Sequence, residues 1–321
     1  MKKNGKDDDF VQTTVRLPPE LSRQLKITAA HLDVSIQDFL ISIIRQELER
    51  HGYETERQIV IPSTMTPALA ELVLLSMPCF AVIKDRQARI EWINYFYEKE
   101  LDAPLLRVAG RSFTEAGLAR GFSKERIEAN IRRTFKSGQP TPSIETMVIK
   151  ERYVTVRAQR FVFNENKLGD ISFIVGDIHE RDFDADPNVI LRMQKTKLDP
   201  RLETLFVPFL EAAPVAIAVK RPPAERNSVI VWANEAYVQL TGKKKAGDVI
   251  GRTTREVFRL PHDHPVLLSE ARVAKGQARM SREKLPGLPE RWSLRFPIFD
   301  HHGKVALIAV VSPDLLQDAG N

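Results

Sequence analysis

Residues 10–52 read FVQTTVRLPPELSRQLKITAAHLDVSIQDFLISIIRQELERHG. The first part alternates. Gln12, Thr14 and Arg16 point to one side of an extended chain, and Val11, Thr13, Val15 and Leu17 to the other, which is the pattern of a short strand over 11–17. Pro18-Pro19-Glu20 ends the strand and opens a helix, because proline is tolerated at a first helical position and its fixed φ suits it. Leu21, Leu25, Ala29 and Leu32 then recur at helical spacing. Ser35 with Asp38 forms an N-cap with an acidic partner one turn on, and starts a second helix. Ile36, Phe39, Leu40, Ile43, Ile44 and Leu48 share one broad face of it, extended by Ile41, and His51-Gly52 supplies the stop.

A lone strand has no partner in its own chain, and a unit of about 40 residues buries too little surface to fold alone. The second helix is also too apolar for one small monomer to cover. Two intertwined copies remove all three difficulties: the strands pair into an antiparallel ribbon and the helices share a core. A two-stranded ribbon fits the DNA major groove. Residues 10–51 resemble the ribbon-helix-helix repressors of the Arc and MetJ type, which read DNA with such a ribbon. The resemblance implies a homodimer or dimer of dimers. It places Gln12, Thr14 and Arg16 on base edges, Ser35 at a phosphate through its helix N-terminus, and Lys6 on the backbone as part of a basic arm. An ordinary dimerisation segment is the alternative.

The chain has 321 residues and a formal charge of +6, enough for two or three domains. Residues 1–52 hold eight Lys/Arg and eight Asp/Glu, so the basic excess lies outside the proposed DNA reader. What counts for DNA binding is where charge sits on the groove side. One cysteine, Cys79, excludes an intramolecular disulfide framework and suits a reducing cytosol. The N-terminus lacks a signal-peptide core, and no apolar run is long enough to span a membrane. The expectation is a cytoplasmic protein.

Beyond a linker at 53–66, a helix from Pro67 to about Met77 precedes strands at Cys79–Lys84 and Arg89–Ile93. Short helices fill Asn94 to about Lys136, and three strands follow, at about Ile144–Lys150, Arg152–Phe163 and Gly169–Asp177. The unit then repeats. Met77-Pro78 returns as Ala213-Pro214, Trp92-Ile93-Asn94 as Trp232-Ala233-Asn234, and Val108-Ala109-Gly110-Arg111-Ser112 as Val249-Ile250-Gly251-Arg252-Thr253. Ser137-Gly138-Gln139 returns as Lys275-Gly276-Gln277, and Glu151-Arg152-Tyr153 as Glu290-Arg291-Trp292, in the same order and at nearly constant spacing. This order, the strand ending in Trp-x-Asn and the Gly-Arg-Ser/Thr turn resemble PAS sensor domains. The first copy ends Asp177-Ile178-His179, close to that family's exit motif; the second departs, ending Ser312-Pro313-Asp314. The resemblance implies a five-stranded antiparallel sheet with helices on one face around a cavity, twice over.

The expected organisation is therefore α+β: a ribbon-helix-helix over 1–52, a linker over 53–66, PAS-like domains over 67–181 and 201–315, a connector over 182–200 and a tail over 316–321. No P-loop, dinucleotide fingerprint, HExxH or Cys-x-x-Cys motif is present, so no enzyme activity and no metal site are expected. With no effector motif after the second copy, the output is expected from the N-terminal segment.

PAS members that hold haem use a histidine near the long helix before the third strand. His262 and His264, in Pro261-His262-Asp263-His264-Pro265, stand at that place in the second copy, and haem is the cofactor they would suggest. The bland alternative is a solvated loop with Asp263 or His264 as a helix cap, and a His pair without further ligands favours it. Cys79 lies on the first strand, away from the place a flavin photoadduct requires, and reads as a small buried apolar residue. Trp92 and Trp232 read as core, Asn94 and Asn234 as helix caps, and Arg111 and Arg252 as structural ion-pair partners. The functional expectation is a DNA-binding transcriptional regulator, a repressor by resemblance, whose PAS units sense a small ligand or supply dimer contacts. The alternative is an antitoxin-like interaction module that uses its N-terminus only to oligomerise.

Overall fold

The structure is a computed structural model and describes residues 18–31, 36, 40, 65–116, 124–150, 152–174, 180–187, 189, 200–222, 227–300 and 303–313. The chain separates into two compact units, Met1–Val60 and Ile61–Asn321. In the first, α1 (Pro19–His31) begins on its proline with Glu20 in the first turn, where an acidic side chain complements the helix dipole. Leu25 is buried and Leu21 exposed. Lys6, Gln12, Thr14, Arg16 and Ser35, with the expected strand at 11–17, lie outside the described residues.

The second unit contains both sequence repeats. The first runs α2 (Pro67–Ser76), β1 (Phe80–Asp85), β2 (Ile90–Ile93), α3 (Tyr95–Leu101), α4 (Leu105–Val108), α5 (Lys124–Ser137), β3 (Thr141–Ile149), β4 (Arg152–Asn164) and β5 (Lys167–Ile174). After β6 (Arg181–Asp184), the second runs α6 (Pro200–Ala212), β7 (Ala216–Arg221), β8 (Val229–Ala233), α7 (Glu235–Leu240), α8 (Thr254–Phe258), α9 (Pro265–Val273), β9 (Gln277–Glu283), β10 (Arg291–Phe299) and β11 (Val305–Ser312). The sheets are antiparallel, in the orders β2-β1-β5-β4-β3 and β8-β7-β11-β10-β9. These orders are the same, so the repeat seen in sequence is a repeat in topology.

One strand departs from the expected layout. Arg181–Asp184, across the boundary between the expected first PAS-like domain and the expected connector, pairs with β9 and makes the second sheet six-stranded. Asp182 accepts a hydrogen bond from the Arg279 guanidinium at 2.7 Å, which ties this segment to its neighbour. Four residues carry too short an alternation to show as a strand in sequence.

The repeated motifs do repeated work. Asn94 Oδ1 accepts from the Ala81 and Tyr97 amides, and its Nδ2 donates to the Met77 and Cys79 carbonyls. Asn234 does the same with the Ile217 and Tyr237 amides and the Leu210, Ala213 and Val215 carbonyls. Each asparagine caps α3 or α7 and pins the helix-to-strand corner before it. Gly110 and Gly251, at φ +75° and +81°, donate to the Ile90 and Ile230 carbonyls, closing a turn that favours glycine. The side chains of Arg111 and Arg252 are exposed, and it is their carbonyl oxygens that accept, from the Ile90 and Ile230 amides. The Gly-Arg turn therefore has a backbone role, and the Arg252 charge also acts on Glu256.

Each sheet buries both faces. Phe80, Val82 and Lys84 of β1 face the helices of their own repeat, whereas Ala81 and Ile83 enter a core shared with the second repeat. Likewise Ala216 and Ala218 face inward, and Ile217 and Val219 enter the shared core. Helices α2 and α6 pack on each other in that shared layer. Each also crosses to the other repeat's sheet, α6 onto β4 and α2 onto β10. Phe206 of α6 meets Trp92 edge-on at 5.2 Å, and Phe209 meets Phe161 at 5.1 Å and Phe163 at 5.5 Å. Wholly buried, Phe206 and Phe209 each contribute roughly 1.5–3 kcal/mol of transfer free energy.

Candidate functional site

The inward face of each sheet carries a buried cluster of ions. In the first repeat, Lys84, Glu145, Arg160 and Asp170 come from β1, β3, β4 and β5, and all are nearly inaccessible. Lys84 Nζ lies 3.1 Å from Asp170 Oδ2, and Arg160 Nε lies 3.2 Å from the same oxygen. The Arg160 fork also grips Glu145, at 2.7 and 2.8 Å. Ser172 and Ser143 hydroxyls donate to Asp170 and Glu145. Burial alone would raise the Asp170 carboxyl, but Lys84 and Arg160 outweigh it and hold Asp170 ionised, below the ordinary carboxylate range. Lys84 also stands 4.1 Å from the Phe113 ring centroid.

In the second repeat the same places hold Lys220 on β7, Glu283 on β9 and Arg295 on β10. The Arg295 fork grips Glu283, with Nη2 at 2.8 Å from Oε2, and the Ser281 hydroxyl donates to Glu283. Lys220 differs in its partner. Its counter-ion is Glu270 of α9, with Nζ 2.5 Å from Oε1, and the Thr254 hydroxyl donates to that oxygen at 3.0 Å. Burial works against the Glu270 carboxylate, but Lys220 and Arg295 outweigh it and hold Glu270 ionised, below the ordinary carboxylate range.

Both clusters border small cavities. The first, of about 30 Å³, has an apolar wall of Phe80, Val82, Phe113, Ile127 and Val156, with Glu145, Arg160, Asp170 and Ser172 at its polar end. Tyr97, 2% exposed, lines the same space, and among the described residues its hydroxyl has no hydrogen-bond partner. The second cavity is about 10 Å³ and includes Lys220, Glu283 and Arg295. On this scale a water needs roughly 10–15 Å³, so the cavities have room for about two waters and about one.

Residues 210–319 match the family model of the PAS fold. This segment is a PAS domain. It covers the second repeat from the end of α6 through β11, and the first repeat, with the same strand order, is PAS-like. Two solved structures with weak similarity carry PAS domains in their titles. The Cronobacter turicensis RpfR quorum-sensing receptor PAS domain in complex with BDSF is 16% identical; the match covers 31% of this chain and 95% of that one, at TM-score 0.26. The PAS domain of an HTR-like protein from Haloarcula marismortui is 18% identical over 34% and 90% of the two chains, at TM-score 0.29. An RNA-binding light-oxygen-voltage receptor is 13% identical over 74% and 93%, at TM-score 0.30. Likenesses this weak carry no functional argument. No curated protein matches the chain.

The other expected site residues are placed as follows. His262 of the PAS domain is exposed, and His264 Nδ1 accepts from the Val266 amide at 3.3 Å, capping α9. Among the described residues no group of three or more His, Cys, Asp or Glu side chains is placed to hold a metal, and no helix is long and apolar enough to cross a membrane. Cys79 is buried in the shared core, and burial pushes its thiol far up, out of the reactive range. Trp92 and Trp232 lie in the same core.

Sequence reasoning missed both ion clusters. A signal was present. Lys84 and Lys220 interrupt apolar strands at inward positions, and Ser143-Ile144-Glu145 returns as Ser281-Arg282-Glu283. Read along the repeat, these polar residues recur at places a core would fill with hydrocarbon.

Proposed function

We propose that this chain is a cytosolic, DNA-binding transcriptional regulator, not an enzyme, whose two PAS units receive a small-molecule signal. The observation that supports the sensing half is the first repeat's cavity. It has an apolar wall, a charged end whose ions partner one another, and a lining Tyr97 whose hydroxyl has no partner among the described residues. Buried polar groups are ordinarily satisfied, so a hydroxyl in this state suits a ligand or water that completes it. The crossed helices α2 and α6 support coupling between the units, because Phe206 and Phe209 of the second repeat rest on the sheet that forms the first cavity.

The output half is supported by sequence. The alternation of Gln12, Thr14 and Arg16 against Val11, Thr13, Val15 and Leu17 gives a donor-rich reading face in a dimeric ribbon. The test is a binding titration on DNA selected by the full chain, against scrambled DNA, at two salt concentrations. Arg16→Ala costs about 1–3 kcal/mol per contact on the selected site and leaves the fold intact. Loss of Lys6 weakens all sequences alike and flattens the salt dependence. If Arg16→Ala and Thr14→Ala both bind like the wild type, the strand does not read DNA.

A further inference from the structure

In the first repeat both carboxylates that neutralise the buried cations, Asp170 and Glu145, stand on strands of the sheet. None of the four ions named above stands on helix α5, which covers that sheet. In the PAS domain one of the two, Glu270, stands instead on the covering helix α9. The Lys220–Glu270 pair therefore latches the helix to the sheet. Arg295 is committed to Glu283 through its fork, so with α9 lifted Lys220 would be left buried with no carboxylate. An unpaired buried ion is strongly disfavoured, so lifting α9 without a replacement anion is costly.

The latch is incompletely satisfied. Glu270 is wholly buried; among the described residues its Oε2 closes no hydrogen bond, although the Ser228 hydroxyl, equally unsatisfied, is near enough to help keep the carboxylate ionised. Arg295 Nε also has none, at 4.0 Å from Glu270 Oε1. Lys220 Nζ and the Thr254 hydroxyl thus bind one carboxylate oxygen, while Arg295 Nε stands beside it unused. Beyond them the cavity wall is mixed: Leu240, Phe258, Val266, Leu285 and Val310 form an apolar part, and Tyr237, Glu283, Ser293 and Ser312 a polar one.

We propose that Glu270 occupies the head-group site of a small organic acid, and that an acid with an apolar tail binds the PAS domain by displacing Glu270 and freeing α9. The inference rests on the sensing reading above and adds the ligand class and an internal competitor. Asp170 plays no such part in the first repeat, because it moves with the sheet and not with a helix.

The experiment uses the full chain and two matched probes, octanoate and 1-octanol, titrated by calorimetry into the wild type, Glu270→Gln, and the charge-neutral pair Lys220→Met/Glu270→Met. Removing the competitor should tighten octanoate binding by about tenfold or more in Glu270→Gln, with octanol binding unchanged. The double variant should lose any preference for octanoate. Equal octanoate affinity in wild type and Glu270→Gln overturns the proposal. If both probes bind all variants alike, the cavity still receives ligands, and only the carboxylate site and its competitor are lost. Should Glu270→Gln fail to fold alone, restoration of its circular dichroism by octanoate and not octanol supports the proposal. If neither probe restores it, wild type and double variant decide: a preference for octanoate confined to the wild type supports the proposal, and equal preference overturns it.

Discussion

Lys84 and Lys220 stand at the same place in the two repeats, yet draw their counter-ions from different layers. Each follows a bulge, between Ile83 and Lys84 and between Val219 and Lys220, and each pairs across to an isoleucine, Ile90 or Ile230. Lys84 is neutralised from within the sheet by Asp170, and Lys220 from a helix by Glu270. The same cation is a fixed part of one sheet and half of a latch in the other.

Asp170→Asn should destabilise the first repeat by about 3–5 kcal/mol, because Lys84 and Arg160 then share only the Glu145 carboxylate in a buried site. Urea unfolding of the full chain measures it. Lys84→Met/Asp170→Leu, which removes the ion pair together, should recover most of the loss. A single variant as stable as the wild type would show that the cluster is hydrated and not buried.

The two cap asparagines make a second test. Asn94→Ala and Asn234→Ala each strip partners from amides and carbonyls at a buried corner. Each should cost at least about 2 kcal/mol. Asn94→Asp keeps the acceptor for Ala81 and Tyr97 but loses both donated bonds, so it should restore nothing at the Met77 and Cys79 carbonyls. Guanidinium melts of the three variants separate the capping share from the corner share.

Gly169 of β5 permits the seating of Phe209 on the first sheet. A Cβ there would stand 2.5 Å from Phe161 Cζ and 2.8 Å from Phe209 Cε2. Gly169→Ala should therefore push the rings apart and cost about 1–3 kcal/mol. Phe161→Leu in the same chain should return part of it, and unfolding midpoints of single and double variants check the coupling.

Stability should fall as pH rises through the range that titrates Glu71. This residue is buried on α2, and burial first, then Glu203 of α6, raises its carboxyl from 4.5 to about 7. Below about 4.5 the group is protonated in the folded and unfolded chain alike, and no penalty applies. Between about 4.5 and 7 the folded chain holds a proton that the unfolded chain has released, so stability declines with pH, and above about 7 the penalty is complete. Glu71→Gln should flatten this segment of the profile and melt above the wild type at pH values beyond it. Thermal melts across the range in low-salt buffer give the measurement.

Sequence alone determined the duplication. Trp-x-Asn, the Gly-Arg turn and the strand alternation are local: a cap, a positive-φ glycine and a period of two depend on neighbours in the chain. Asn94 and Asn234 were legible as caps for that reason. What only the tertiary structure decided is which face each element turns to which partner. Helix α2 reads as apolar on nearly every side because it is buried between α6 and the opposite repeat's β10, and no periodicity names that partner. The strand Arg181–Asp184 exists because β9 offers it an edge. The ion clusters join residues up to 86 positions apart, as with Lys84 and Asp170. Their charge is visible in sequence, but whether a lysine ends in water or against a carboxylate depends on desolvation and on which layer supplies the opposite charge, and both are properties of packing.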